Sequence, residues 1–221
     1  MAKRFPVVLA TALLTVLWWQ PVAAQPAKAR ATASVDLNAR LQQAQADPQL
    51  AQTLLATGRK VAAVCAHCHG EGGNSVKTDI PNLAGQNPAY LLEQLRQFAE
   101  GRRRNEFMEG MIKAMDSDEK VGMVLFYAGQ SVVHRPATAV ALAAKGQAVY
   151  AKSCQQCHGT DGQGNAQIAR IAGQQPGYLN LTLQRYRDGS SVRANSVMTP
   201  STRQMTPADI QAVVAFVAAM P

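Results

Sequence analysis

The sequence predicts an all-α fold built as two tandem copies of one small domain. Three observations carry this prediction. The pattern C-x-x-C-H-G occurs twice, as CAHCHG from Cys65 and CQQCHG from Cys154. The surroundings of the two motifs also align: TGRKVAAVC with KGQAVYAKSC, LAGQNPAYLLEQLRQFAEG from Leu83 with IAGQQPGYLNLTLQRYRDG from Ile171, and MEGMIKAMDSDEKVGMVLFYAGQ from Met108 with MTPSTRQMTPADIQAVVAFVAAM from Met198. The offsets between these pairs, 89, 88 and 90 residues, mark a tandem duplication. Finally, both copies carry helix start and stop signals and neither shows the alternation of a strand.

The elements follow in chain order. Lys3 and Arg4 precede an apolar run too short for a comfortable membrane span, and Val22 and Ala24 supply a small-residue cleavage site. Residues 1–24 therefore read as a secretory signal peptide, with an uncleaved anchor as the alternative. Cleavage after Ala24 leaves 197 residues, removes Trp18 and Trp19, and lowers the formal net charge from +8 to +6. The expected destination is an exported, oxidising compartment where cysteines ordinarily pair. Here all four cysteines lie inside the two motifs, so a disulfide scaffold does not explain them.

Residues 25–55 are expected to form an extension, disordered at first and then a short amphipathic helix. The first copy spans 56–131, a linker containing Pro136 runs over 132–141, and the second copy spans 142–221. A first helix enters each motif from Gly58 and from near Gly146. These glycines either open the helix or let it pack closely against Phe126 or Tyr127, and against Phe216. GEGGN and GTDGQG after the motifs read as loops. A second helix starts at Pro88, carries Tyr90, Leu91, Leu95 and Phe98 on one face and stops at Gly101; its counterpart runs from Pro176 to Gly189. Asp116 with Glu119, and Thr206 with Asp209, have the spacing of capping boxes before the closing helices.

Two cysteines one helical turn apart can be joined as thioethers to the vinyl groups of haem, and the histidine that follows reaches the iron. A zinc site would have to combine cysteine pairs separated by 85 residues, and a thioredoxin-type pair needs a βαβ context. Two local disulfides would leave the histidines unexplained. Covalent haem at Cys65 and Cys68 and at Cys154 and Cys157, with His69 and His158 as proximal ligands, is the expectation.

Of the two other histidines, His67 lies between the cysteines of its own motif, so only His134 is left for an opposite haem face. Two bis-histidine haems are therefore excluded within one chain, and methionine is the natural sixth ligand. The repeat aligns Met108 with Met198 and Met115 with Met205. Met115 and Met205 directly precede the caps, in the position of a hydrophobic staple. Met108 and Met198 are expected in loops, where a thioether can swing onto iron. They are favoured over a plain packing role, with Met111 as substitute for Met108. Met123 and Met220 read as packing residues.

Taken together, the two C-x-x-C-H-G motifs, each followed by an AGQ…Y helix, a methionine and a capped closing helix, resemble the dihaem cytochrome c4 family. The resemblance runs from about Gly58 to the C-terminus. It implies two class-I cytochrome c domains, each wrapped around one haem c, with haems close enough for internal electron transfer. It implies a periplasmic carrier between a quinol-oxidising cytochrome bc complex or a dehydrogenase and a terminal oxidase. By position, His69 and His158 are the proximal and Met108 and Met198 the distal ligands. One departure stands out. Pro81 occupies the position whose carbonyl, in such cytochromes, holds the proximal histidine, but the second copy has Ala169. The two haems are therefore expected to differ in potential.

The expected partners are redox proteins, with peripheral contact with the membrane surface and no nucleic acid. GRRR at Gly101–Arg104 is a candidate basic docking patch, with a solvated basic face as the plain alternative. Two alternatives to the free carrier are a cytochrome subunit of a periplasmic dehydrogenase complex and a dihaem peroxidase, which needs an open iron.

Overall fold

The structure is a computed structural model that describes residues 36–137, 139–190, 192–193 and 196–221. The predicted signal peptide lies outside the described residues. Ten α-helices are present among them: α1 (Leu37–Ala46), α2 (Pro48–His69), α3 (Pro88–Ala99), α4 (Glu106–Ala114), α5 (Ser117–Ala128), α6 (Val140–Ser153), α7 (Gln155–His158), α8 (Pro176–Arg187), α9 (Met198–Thr202) and α10 (Pro207–Ala218). The one β-type pairing among the described residues is an isolated antiparallel bridge between Arg103 and Arg193.

The helix expected from Gly58 starts ten residues earlier. Asp47 accepts from the backbone N–H groups of Gln49 and Leu50, and Pro48 occupies the first turn, so Asp47–Pro48 is a strong start signal. Gly58 therefore lies in the middle of α2, as Gly146 lies in the middle of α6. The helix preceding α2 is docked: Leu41 and Ala44 are buried, and the Arg40 guanidinium grips Asp118 of α5 through Nε at 2.9 Å and a second nitrogen at 3.0 Å. Burial of its apolar face holds α1, which is too short to be stable alone.

In each copy the first helix crosses the closing helix at a glycine. A Cβ on Gly58 would sit 2.1 Å from the carbonyl oxygen of Gly122, and one on Gly122 would sit 2.3 Å from that of Leu54. A Cβ on Gly146 would lie 2.0 Å from the carbonyl oxygen of Ala212 and 2.8 Å from Cβ of Phe216. Gly146 thus faces Phe216 as expected, but Gly58 faces another glycine rather than Phe126 or Tyr127. Around these crossings lie two cores. Leu54, Leu91, Leu95, Ile112, Val121, Val124 and Tyr127 fill the first; Tyr150, Leu179, Ile210, Val213, Val217 and Met220 fill the second.

The second helices have the expected extents. Both begin with proline and end before a glycine of positive φ, Gly101 at 70° and Gly189 at 69°. Both capping boxes are formed: Asp116 with Glu119 on α5, and Thr206 with Asp209 on α10. Val132, between the copies, touches both AGQ stretches. Its methyl groups would lie 2.9 Å and 3.1 Å from Cβ atoms placed on Gly85 and Gly173, whose φ angles are 62° and 66°. No helix among the described residues is long and apolar enough to cross a membrane.

Candidate haem sites

The first motif ends α2, so Cys65, Cys68 and His69 occupy its last turns. The second is broken. α6 stops at Ser153, Cys154 leaves helical geometry (φ −122°, ψ −39°), and α7 carries Cys157 and His158. The break is local, because Cys154 still donates to the Tyr150 carbonyl at 2.9 Å and accepts from the His158 N–H at 2.9 Å. No disulfide joins the four cysteines. Burial pushes the Cys154 thiol up to about 11 and raises that of Cys65. A redox-active thiol pair needs the opposite shift. No three His, Cys, Asp or Glu side chains converge as a metal-binding set among the described residues, so the two cysteine pairs do not combine into a zinc site.

His69 and His158 are buried, and burial lowers both imidazole pKa values. Each ring donates its Nδ1–H to a backbone carbonyl, His69 to Pro81 at 2.8 Å and His158 to Ala169 at 2.9 Å. Nδ1 is thereby committed, and Nε2 is the nitrogen left to bind a metal as a neutral imidazole. This donor set fits haem iron. Replacing proline by alanine at position 169 preserves the carbonyl contact. His67 is exposed and turns its ring to the Val64 carbonyl, and His134 is exposed between the copies.

The methionines separate into two groups. Met123, Met205 and Met220 are buried in the cores. Met108, Met111, Met115 and Met198 are half-buried. Met108 and Met198 do not lie in loops. Met108 stands in the first turn of α4, where its N–H donates to the Asn105 cap at 3.0 Å, and Met198 opens α9. The Asn105 cap and the acidic Glu106 and Glu109 nucleate α4.

The candidate basic patch is also corrected. Arg102 pairs with Glu100 and Glu93, and Arg104 lies 3.7 Å from Glu109. Arg103 turns inward, stacks over Phe98 at 4.4 Å, and meets Arg193, its repeat counterpart, at the domain boundary. Both guanidinium groups donate to the Tyr178 hydroxyl, at 3.2 Å and 2.7 Å, and Arg193 also reaches Tyr186 at 2.8 Å. Burial raises the Tyr178 phenol pKa, but Arg193 and Arg103 outweigh it and bring it down to about 8. Sequence reasoning missed this cluster and the buried Gln86 and Gln174; the signal was their recurrence, at offsets of 90 and 88 residues.

Two all-α domains in tandem, each with a C-x-x-C-H helix end and a carbonyl-anchored histidine, define a dihaem c-type cytochrome. The cytochrome c family profile matches residues 55–123 and 143–221. Cytochrome c4 of Thiocapsa roseopersicina is 32% identical over 76% of this chain and 89% of its own length. A "Thiosulfate dehydrogenase electron acceptor" of Thiomonas intermedia is 32% identical over 72% of this chain and 80% of its own. The crystal structure of reduced cytochrome c4 from Pseudomonas stutzeri superimposes with a TM-score of 0.68 at 27% identity, covering 75% of this chain and 97% of that one. The chain belongs to the dihaem cytochrome c4 family, and its two domains bind haem c covalently.

Proposed function

We propose that this chain is a periplasmic carrier of single electrons between a quinol-oxidising complex or dehydrogenase and a terminal oxidase or other acceptor. Its domains, 56–131 and 142–221, each hold one haem. Cys65 and Cys68 attach the first and Cys154 and Cys157 the second. His69 and His158 are the proximal ligands, and Met108 and Met198 the distal ones. When bound, the haem iron supplies reversible one-electron chemistry between its ferric and ferrous forms.

The observation that carries the reading is the matched anchoring of His69 and His158 by backbone carbonyls at the end of a C-x-x-C-H helix. It fixes each ring with Nε2 free and leaves the protein a holding and tuning role. Arg103 and Arg193 bring positive charge together at the domain boundary. Phe107 and Val197, each directly before a candidate distal methionine, are 66% and 72% exposed and give each domain an apolar contact point for a partner.

The relative named as a thiosulfate dehydrogenase electron acceptor favours a second reading, a cytochrome serving a periplasmic dehydrogenase. Stopped-flow mixing of the oxidised protein with a reduced cytochrome bc complex and with thiosulfate dehydrogenase plus thiosulfate separates the two. Fast reduction by the bc complex supports the respiratory carrier, and fast reduction by the dehydrogenase alone supports the second reading. Peroxide turnover by the reduced protein would overturn both.

A further inference from the structure

The AGQ stretch of each copy ends in a buried glutamine, Gln86 and Gln174, and each side chain crosses to the other domain. The Gln174 amide grips both backbone groups of Asn82: Oε1 accepts from the Asn82 N–H at 2.7 Å and Nε2 donates to the Asn82 carbonyl at 3.1 Å. Gln86 does the same to Arg170, accepting from its N–H at 2.7 Å and donating to its carbonyl at 2.9 Å. With a donor on one side and an acceptor on the other, only one orientation of each amide satisfies both.

The gripped residues directly follow Pro81 and Ala169. The carbonyl that holds His69 and the N–H that Gln174 accepts from therefore belong to one peptide group, between Pro81 and Asn82. The peptide group between Ala169 and Arg170 likewise joins His158 to Gln86.

We propose that Gln86 and Gln174 are crossed positioning residues, each setting the proximal histidine of the opposite domain through this shared peptide group. Two physical effects act together. The two-point grip stops the peptide plane from rotating, so the carbonyl stays aimed at the ring. Proline stiffens the chain beside the first anchor by fixing its own φ, and alanine at 169 adds no such stiffness. An acceptor on the peptide N–H also polarises the group and makes its carbonyl oxygen a stronger acceptor. The carbonyl then pulls harder on the imidazole N–H, raises the basicity of Nε2 and favours ferric over ferrous iron. Disturbing the AGQ stretch of one domain is therefore felt at the haem of the other.

The inference rests on His69 and His158 being iron ligands, and the test checks that first. In the full-length dihaem protein, haem-shifted ring protons from both histidines establish ligation; their absence refutes the ligand assignment. With ligation established, Gln174→Met and Gln86→Met are compared with wild type by NMR-followed redox titration, which resolves the two haems. Gln174→Met raises the potential of the first haem and speeds solvent exchange of the His69 Nδ1–H, leaving the second haem near wild type. Gln86→Met does the reverse. Gln174→Glu and Gln86→Glu, measured at a pH where the introduced carboxyl is protonated, keep both an acceptor for the peptide N–H and a donor to the gripped carbonyl, and restore slow exchange of the ring proton.

A shift confined to the haem of the substituted domain overturns the proposal. So does an equal shift of both haems, no shift, or a glutamate variant that exchanges as fast as the methionine one. Should the methionine variants fail to fold, the glutamate variants decide through exchange alone, and fast exchange at the opposite histidine overturns it.

Discussion

Gly146→Ala tests the helix crossing that builds the second domain. Alanine is the better helix former by about 1 kcal/mol, so helix propensity alone predicts stabilisation. The crossing predicts the opposite. The added Cβ lands 2.0 Å from the Ala212 carbonyl oxygen, 2.5 Å from its carbon and 2.8 Å from Phe216 Cβ. Two of these are backbone atoms, so no rotamer change relieves them, and α6 and α10 must part by more than about 1 Å to reach ordinary contact. A gap of that size forfeits a quarter to a half of each dispersion contact around it, including those of buried Tyr150, Ile210 and Val213. Overpacking of this kind costs roughly 3 kcal/mol, the upper part of the usual range. After the propensity gain, a net loss of about 2 kcal/mol remains. Urea denaturation followed by circular dichroism measures it. Gly110→Ala is the control: it lies in α4 with nothing within 4 Å of a new Cβ, and is expected to gain up to about 1 kcal/mol. A Gly146→Ala protein as stable as wild type would refute the close-crossing argument.

Other outcomes follow from the ligand set, the caps and the docked first helix. Met108→Ala and Met198→Ala should each remove part of the weak far-red sulfur-to-iron absorption of the oxidised protein; if Met108→Ala leaves it whole, Met111 is the ligand to test next. Thr206→Ala removes the cap of α10 and should lower unfolding free energy by about 1 kcal/mol, measured by thermal melting. The hydrogen bonds from Thr206 hold the Asp209 carboxyl below its ordinary pKa. Its contribution is therefore present above the ordinary carboxylate pKa and lost as pH falls through the lowered one; an NMR titration of Asp209 reads this, and an ordinary value in the folded protein would contradict it. Arg40→Ala breaks a part-exposed pair with Asp118 and should cost less than about 1 kcal/mol while speeding amide exchange in α1.

Much of the site was legible because its signals are local. The two motifs, Pro88 and Pro176 opening helices, and both capping boxes depend on residues within a few positions of one another, and the repeat supplied an internal alignment. The extent of α2 was misjudged because Gly58 reads as a breaker, while the Asp47–Pro48 start signal sits ten residues upstream. Met108 and Met198 were expected in loops because the short stretch before the closing helix hid the Asn105 cap. Arg103 looked like surface charge within Gly101–Arg104, and nothing local reports that it stacks on Phe98 and meets Arg193.

The sequence by itself determined the duplication, the all-α class, the covalent haem chemistry and the pairing of equivalent residues between copies. It determined these because hydrogen bonding and side-chain chemistry over a few residues dictate helix ends and metal-ligand spacing. Only the tertiary structure decided which equivalent residues meet. Gly58 faces Gly122, Arg103 and Arg193 share Tyr178, and Gln86 and Gln174 each reach past their own domain to the peptide beside the other domain's histidine anchor. Gly58 and Gly122, Arg103 and Tyr178, and each glutamine and the backbone it grips lie 64 to 92 positions apart, and the glutamine contacts exist because buried backbone groups at the domain boundary must find partners once the two copies pack together.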